Sequence, residues 1–263
     1  MGSSTPRVER DPDRLLWRAV SAGEEVGTIR TVVRPDKRRF VRFGTGRLNA
    51  FEPLLAAVAR DVTGELYATV DEADDDTRRR YEALGFVVDR RESHYLIPTD
   101  PDATGLGGVA FPPGYSAVTA DAVDLGRLQR LDDVLRQDVP GTAGWRWDEE
   151  GFRCELQPPD YDPATYLVAL AGARREHVGI VRVWNNPRGP RLGFVGVHRE
   201  HRRRGLAKAL VARVFAELHE RGEAEVTTEI DDENVASRSL LEPLGARRTG
   251  GSVELVRRSP EPL

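Results

Sequence analysis

The chain has 263 residues, room for one or two domains, and its 39 basic against 43 acidic side chains leave a net charge of −4. That acidity speaks against a dedicated nucleic-acid binder, and no apolar run reaches membrane-spanning length. The one cysteine, Cys154, excludes an intramolecular disulfide and suits a reducing cytoplasm.

The N-terminal stretch Met1–Arg7 leads to no apolar core of signal-peptide length. Val33 to Phe43 reads as a hairpin, Gly44-x-Gly46 as a tight turn and Leu48 to Arg60 as a helix. Gly44-x-Gly46 alone is a weak phosphate-loop signal. Glu65–Asp71 follows as a strand, then Arg78–Phe86 as a helix ending at Gly85. Prolines and glycines crowd 98–114, too densely for a helix or a central strand, so this segment reads as a linker.

Beyond it, Tyr115–Val118 is a strand, and Asp121 is placed to cap a helix over 122–137. An irregular segment, 138–162, mixes Asp138, Asp148, Glu149, Glu150, Glu155, Asp160 and Asp162 with Trp145, Trp147, Phe152 and Tyr161. Acid beside aromatic suits a cationic amine; a solvated acidic loop fits as well. Strands over 165–170 and 178–184, joined by a turn at 172–176, lead to the apolar run Leu192–Val197.

The most informative stretch comes next, Arg202-Arg203-Arg204-Gly205-Leu206-Ala207-Lys208, between that strand and a helix over 206–218. A strand, a short basic glycine loop and a helix N-terminus together offer free N–H groups to an anion, and a pyrophosphate is the natural guest. Three consecutive arginines alone also suit a solvated face or a weak nucleic-acid patch. Downstream, Asn234-x-x-Ser237-x-x-Leu240-Leu241-x-x-Leu244-Gly245-Ala246 reads as a helix capped by Asn234 and ended at Gly245.

An internal repeat links the two halves. Glu65–Asp71 aligns with Glu225–Asp231, and Arg78–Phe86 with Arg238–Ala246, at one offset of 160. Val26-Gly27 aligns with Val178-Gly179 at 152, so the first copy is shorter by about eight residues, where a phosphate loop belongs.

Arg202-x-x-Gly205-x-Ala207 followed by the Asn234 motif resembles the GNAT superfamily of acyl-CoA N-acyltransferases. The resemblance covers 195–246 directly and implies an α/β fold with a mixed sheet, in two GNAT-like units. It implies a truncated, degenerate unit over 1–100, a linker over 101–114 and a complete acetyl-CoA-binding unit over 115–263. By the same resemblance Val195, Gly196, Val197, Arg202, Arg203, Arg204, Gly205, Leu206, Ala207, Lys208 and Asn234 would meet the cosubstrate. The Val197 N–H would serve as oxyanion donor. Glu229, five residues before Asn234, is the candidate base. The family's usual general acid is a Tyr, where this chain has Leu241. Tyr81 stands at the matching place of the first copy, where a packed core position is the reading.

The expected activity is transfer of an acetyl group from acetyl-CoA to a primary amine of a small molecule or peptide. The alternative is an acetyl-CoA-binding regulatory or scaffold protein without turnover. Neither a metal nor a nucleic-acid or membrane partner is expected. His198-x-x-His201 lacks further ligands, and no motif surrounds Cys154. A fused first copy would make the chain a pseudo-dimeric monomer.

Overall fold

The computed structural model describes residues 5–11 and 14–258; residues 1–4 of the stretch read for a signal core lie outside these, as do 259–263 of the expected second unit. In chain order the elements are β1 (Arg7–Asp11), β2 (Leu16–Ser21), β3 (Glu24–Val33), β4 (Arg39–Gly46), α1 (Phe51–Asp61), β5 (Leu66–Asp71), α2 (Asp75–Ala83) and β6 (Val87–Pro98). They continue with α3 (Pro101–Thr104), β7 (Tyr115–Thr119), α4 (Leu125–Arg136), α5 (Glu149–Cys154), β8 (Tyr166–Ala171), β9 (Glu176–Asn186), β10 (Gly189–Val197), α6 (Leu206–Glu220), β11 (Glu225–Asp231), α7 (Val235–Leu241) and β12 (Arg247–Arg257).

This is a mixed α/β fold in two compact units, 1–91 with 252–263, and 92–251. In the first, the strand order is β1-β2-β3-β4-β5, and residues 252–257 of β12 run antiparallel to β5. In the second it is β7-β8-β9-β10-β11, and residues 92–98 of β6 run antiparallel to β11. Each unit has one parallel pair, β4 with β5 and β10 with β11. The expected boundaries grouped 252–257 with 115–263 and 92–98 with 1–100; each of these strands instead pairs within the unit built from the other half of the sequence.

At the positions the sequence aligns, the two halves have similar local geometry. Asp74 accepts from the Thr77 N–H at 3.0 Å to cap α2, and Asn234 accepts from the Ser237 N–H at 3.0 Å to cap α7. Asp71 and Asp231 accept from Ala73 and Glu233 at 2.9 and 2.8 Å in the turns before those helices. Such short polar side chains hold a strand-to-helix turn by satisfying backbone donors the helix leaves over.

In the second unit β8 is apolar throughout because both of its faces are covered. Leu167 and Ala169 join Leu210, Val214, Phe215 and Leu218 of α6, while Tyr166, Val168 and Leu170 join Leu128, Leu131 and Leu135 of α4. In the first unit Trp17, Ile29, Leu54, Val58, Ala68 and Leu255 make the corresponding core under α1.

Four local expectations are corrected. Gly44 and Gly46 lie within β4, Gly46 opposite Gly27, not in a tight turn. The helix expected over 122–137 starts at Leu125 with Asp124 as its cap, because Ala120–Ala122 form a 3-10 turn that takes up Asp121. The irregular segment contains α5, capped by Asp148 through the Gly151 N–H at 2.7 Å, and the linker contains α3.

Candidate functional site

The site grows from a fault in β10. Its register against β9 slips between Leu192 and Phe194, placing Gly193 in a bulge. A Cβ at Gly193 would lie 1.0 Å from Cζ3 of Trp184, so the indole can lie across the strand only because residue 193 has no side chain. Arg182 and Arg191 stand over the Trp184 ring at 4.6 and 5.1 Å. Below the bulge β10 follows β11 in a single registered pair, Arg191 with Thr227, and Thr228 Oγ1 donates to the Leu192 carbonyl at 2.8 Å.

Beyond that point the two strands part. Val197 faces Gly179, while the His198 N–H donates to the Val178 carbonyl at 2.7 Å. Antiparallel alternation then turns the backbone groups of Val195 and Val197 away from β9, toward the opening, and those of Gly196 toward β9. The Val197 carbonyl accepts from Arg202 Nε at 2.8 Å. Its N–H faces the opening.

The opening leads to the N-terminus of α6, a helix of 15 residues with no side-chain cap. Its first intrahelical bond runs from the Ala209 N–H to the Gly205 carbonyl at 3.0 Å, so the N–H groups of Leu206, Ala207 and Lys208 precede the ladder. Gly205 holds φ 85°, a left-handed conformation that a Cβ would strain. A Cβ there would meet only Pro112, at 4.0 Å, so the space above the turn is open.

The arginines divide by task. Arg202 Nη2 donates to Asp138 at 2.6 Å, and Arg199 Nη2 to the other oxygen of Asp138 at 3.1 Å. The Arg202 bond, with both nearby guanidinium charges, holds the Asp138 carboxyl below its ordinary range. Arg204 donates to the Tyr115 hydroxyl and to the Glu200 carbonyl, each at 3.0 Å, and Tyr115 also bonds His201 Nδ1 at 3.0 Å. Arg202 and Arg204 therefore shape the loop. Among the described residues the Arg203 and Lys208 head groups, both exposed, carry no bond, and they remain for an anion. Asn234 is nearly buried and spends its side-chain oxygen on the α7 cap.

On the other face of β11, Glu229 is ion-paired with Arg191. Leu241 is 2% exposed within the core under α6, and its side chain has no group that could donate a proton. The acids of 138–162 are mostly engaged within the protein: Asp138 with the loop, Asp148 in a cap, Glu149 with Arg153, Glu155 with Arg182 and Asp162 with Arg221. The reading of that segment as an acidic wall awaiting an amine loses those members. Trp147 Nε1 donates to Asp132 at 3.2 Å, and Asp132 is paired with the buried Arg136. Burial raises the neighbouring Asp133 carboxyl above its usual value.

Sequence reasoning missed Gly193, Trp184 and Arg191. A Gly inside an apolar strand run was the available signal for the bulge; the stacking needed three dimensions. Cys154 is exposed. Among the described residues no group of three or more His, Cys, Asp or Glu is placed to hold a metal, and no helix is long and apolar enough to cross a membrane.

Residues 129–246 match the model of the Acetyltransferase (GNAT) family. No curated protein matches the chain. Among solved structures it is similar to a tandem GNAT protein from the clavulanic acid biosynthesis pathway, at a TM-score of 0.68 and 19% identity over 96% of this chain and 86% of that one. It is also similar to a GCN5-related N-acetyltransferase from Sphaerobacter thermophilus, at 0.66 and 18% over 95% and 83%. A GCN5-related N-acetyltransferase from Kribbella flavida aligns at 0.57 and 16% over 97% and 91%. At these identities the likeness establishes the fold: the chain has the GNAT acetyltransferase fold.

Proposed function

We propose that the chain is an acetyl-CoA-dependent N-acetyltransferase whose acceptor is a primary amine on a small molecule or peptide. One observation carries this reading. The backbone groups of Val195 and the N–H of Val197, left without a strand partner where β10 parts from β11, lead directly to the uncapped N-terminus of α6. An extended amide-bearing arm pairs with the first, as an added strand would. A pyrophosphate suits the second, with Arg203 and Lys208 beside it.

In the reaction the amine nitrogen attacks the thioester carbonyl carbon, and the Val197 N–H donates to its oxygen as negative charge develops. The carbon–sulfur bond breaks, the thiolate leaves, and the nitrogen gives up its second proton to water to become the amide. A thiol pKa of about 8.5 makes it a fair leaving group, so it takes its proton from water and Leu241 need not supply one. The acceptor starts largely as an ammonium, and Glu229, once released from Arg191, takes its proton directly or through water.

A specific observation favours a second reading, an acetyl-CoA-binding protein without turnover: Leu241 is sealed in the core and Glu229 is already paired. One experiment separates the two. Acetyl-CoA binding and release of free thiol are measured in parallel across a panel of amines. Binding with amine-dependent release supports the transferase, binding without release for any amine the scaffold, and no binding refutes both.

We further infer that the first unit is a GNAT-like copy that has lost the phosphate loop. As a fused copy it stands in for the second subunit of a dimer, and the protein is expected to be monomeric by light scattering.

A further inference from the structure

The first unit contains a cleft of about 350 Å³, within the size range of small-molecule sites. It opens where β4 leaves β5: the strands register only at Arg39 with Leu66 and Phe40 with Tyr67, and the cleft begins at Val41. Phe43 and Phe51, stacked at 4.3 Å, form an apolar wall. Arg42 and Arg47 also line it, Arg47 being paired with Glu24 at 3.4 Å, and among the described residues its lining holds no Asp or Glu.

Tyr81 gives the cleft its polar focus. Its ring is 4% exposed, packed edge-on against Phe51 and Phe86 at 5.0 Å each. Tyr81 lines the cleft, and its hydroxyl has no hydrogen-bond partner among the described residues. The hydroxyl is not among the buried side-chain atoms left without a partner, so it is reached by solvent and can donate to a ligand in the cleft. Burial pushes the phenol above its ordinary value, and the nearby Arg42 charge pulls the other way.

A pyrophosphate does not fit here. A 3-10 turn over Leu48–Ala50 stands where the phosphate loop of the second unit would be, and the Ala50 N–H is spent on the Arg47 carbonyl at 3.0 Å. Pro53, in the first turn of α1, has no N–H to offer. An amine is repelled by the Arg42 guanidinium, the lining arginine not paired with a carboxylate among the described residues.

We propose that this cleft binds a small monocarboxylate with an aryl or branched hydrocarbon body, its carboxylate held by the Tyr81 hydroxyl and Arg42 and its body against Phe43 and Phe51. This site is separate from the acetyl-CoA site argued above and does not depend on it.

The test uses the full chain with phenylacetate as probe, by ligand-observed NMR and calorimetry. Saturable binding is expected. Tyr81→Phe, which removes a hydroxyl that bonds nothing in the protein, and Arg42→Gln should each weaken it about tenfold, the worth of one charge-assisted hydrogen bond. Phenylacetamide, uncharged and of the same shape, should bind weaker by a similar factor. Acetyl-CoA affinity should be the same in both variants as in the parent. Absence of saturable binding in the millimolar range, or equal affinity in parent and both variants, overturns the proposal. Displacement of phenylacetate by acetyl-CoA in the parent, lost in Gly205→Glu, would put the probe in the second unit and overturn it as well.

Discussion

Gly205 offers the sharpest test of where the cosubstrate sits, because two substitutions there share their strain and differ in charge. Any Cβ at φ 85° costs roughly 1–2 kcal/mol, so Gly205→Ala and Gly205→Glu should lower the melting temperature by similar amounts. The open space above the turn, with Pro112 at 4.0 Å as the nearest obstacle, leaves room for either side chain. Only the Glu variant puts a carboxylate beside the donors of Leu206, Ala207 and Lys208. Two like charges about 4 Å apart near a protein surface repel by about 4 kcal/mol, which is about a thousandfold in affinity. Calorimetry with acetyl-CoA should therefore find Gly205→Ala weakened only modestly and Gly205→Glu without measurable binding. Arg47→Glu in the first unit is the matched charge control and should bind as the parent does. Gly46 cannot serve, since a Cβ there would lie 2.8 Å from the Gly27 Cα. Equal affinity in the Ala and Glu variants, with both folded, would refute the assignment of the helix terminus as the phosphate site.

Replacing Glu229 with Gln should lower turnover most at low pH and leave acetyl-CoA affinity nearly unchanged; a pH–rate profile identical to the parent's would assign deprotonation to another group or to water. Gly193→Ala should drive Trp184 from between Arg182 and Arg191, costing about 1–3 kcal/mol in denaturant unfolding, with acetyl-CoA binding weakened as the bulge repacks. Unchanged stability would show that the indole is not confined as described. Asp138→Ala should remove the tether from Arg199 and Arg202 at a cost of at most about 1 kcal/mol, since the pair is partly exposed. Because folding depresses the Asp138 pKa, that stabilisation is fully present above the ordinary carboxylate value and is lost as pH falls through the depressed one. The stability difference between parent and variant, measured by urea titration, should shrink on acidification below pH about 4; a difference constant through that range would contradict the pairing.

What the sequence determined by itself was local. Gly205 between a strand and an apolar helix, Asn234 as a cap and Gly245 as a left-handed stop act over a few residues, and their backbone consequences can be read from residue type and spacing. The repeat was legible for the same reason: Asp71 with Asp231 and Gly85 with Gly245 sit in turns whose chemistry is local. Burial of Leu241 followed from helical spacing, and that of Tyr81 from its place at the matching position of the first copy. Where competing local signals lay close together the reading slipped by a few residues, as when Asp124 rather than Asp121 capped α4.

The tertiary structure alone decided which charges are free and which strand pairs with which. Seen in isolation, Arg202, Arg203 and Arg204 are equivalent; Asp138, Tyr115 and the Val197 carbonyl, from three other parts of the chain, take two of them and leave the third. The bulge at Gly193 owes its shape to Trp184 on the neighbouring strand. For residues 92–98 and 252–257 the pairing is a choice among edges distant in sequence. Hydrophobic alternation fixes which face of a strand is buried, not which partner it hydrogen-bonds, and so β11 and β5 came to be completed from opposite halves of the chain.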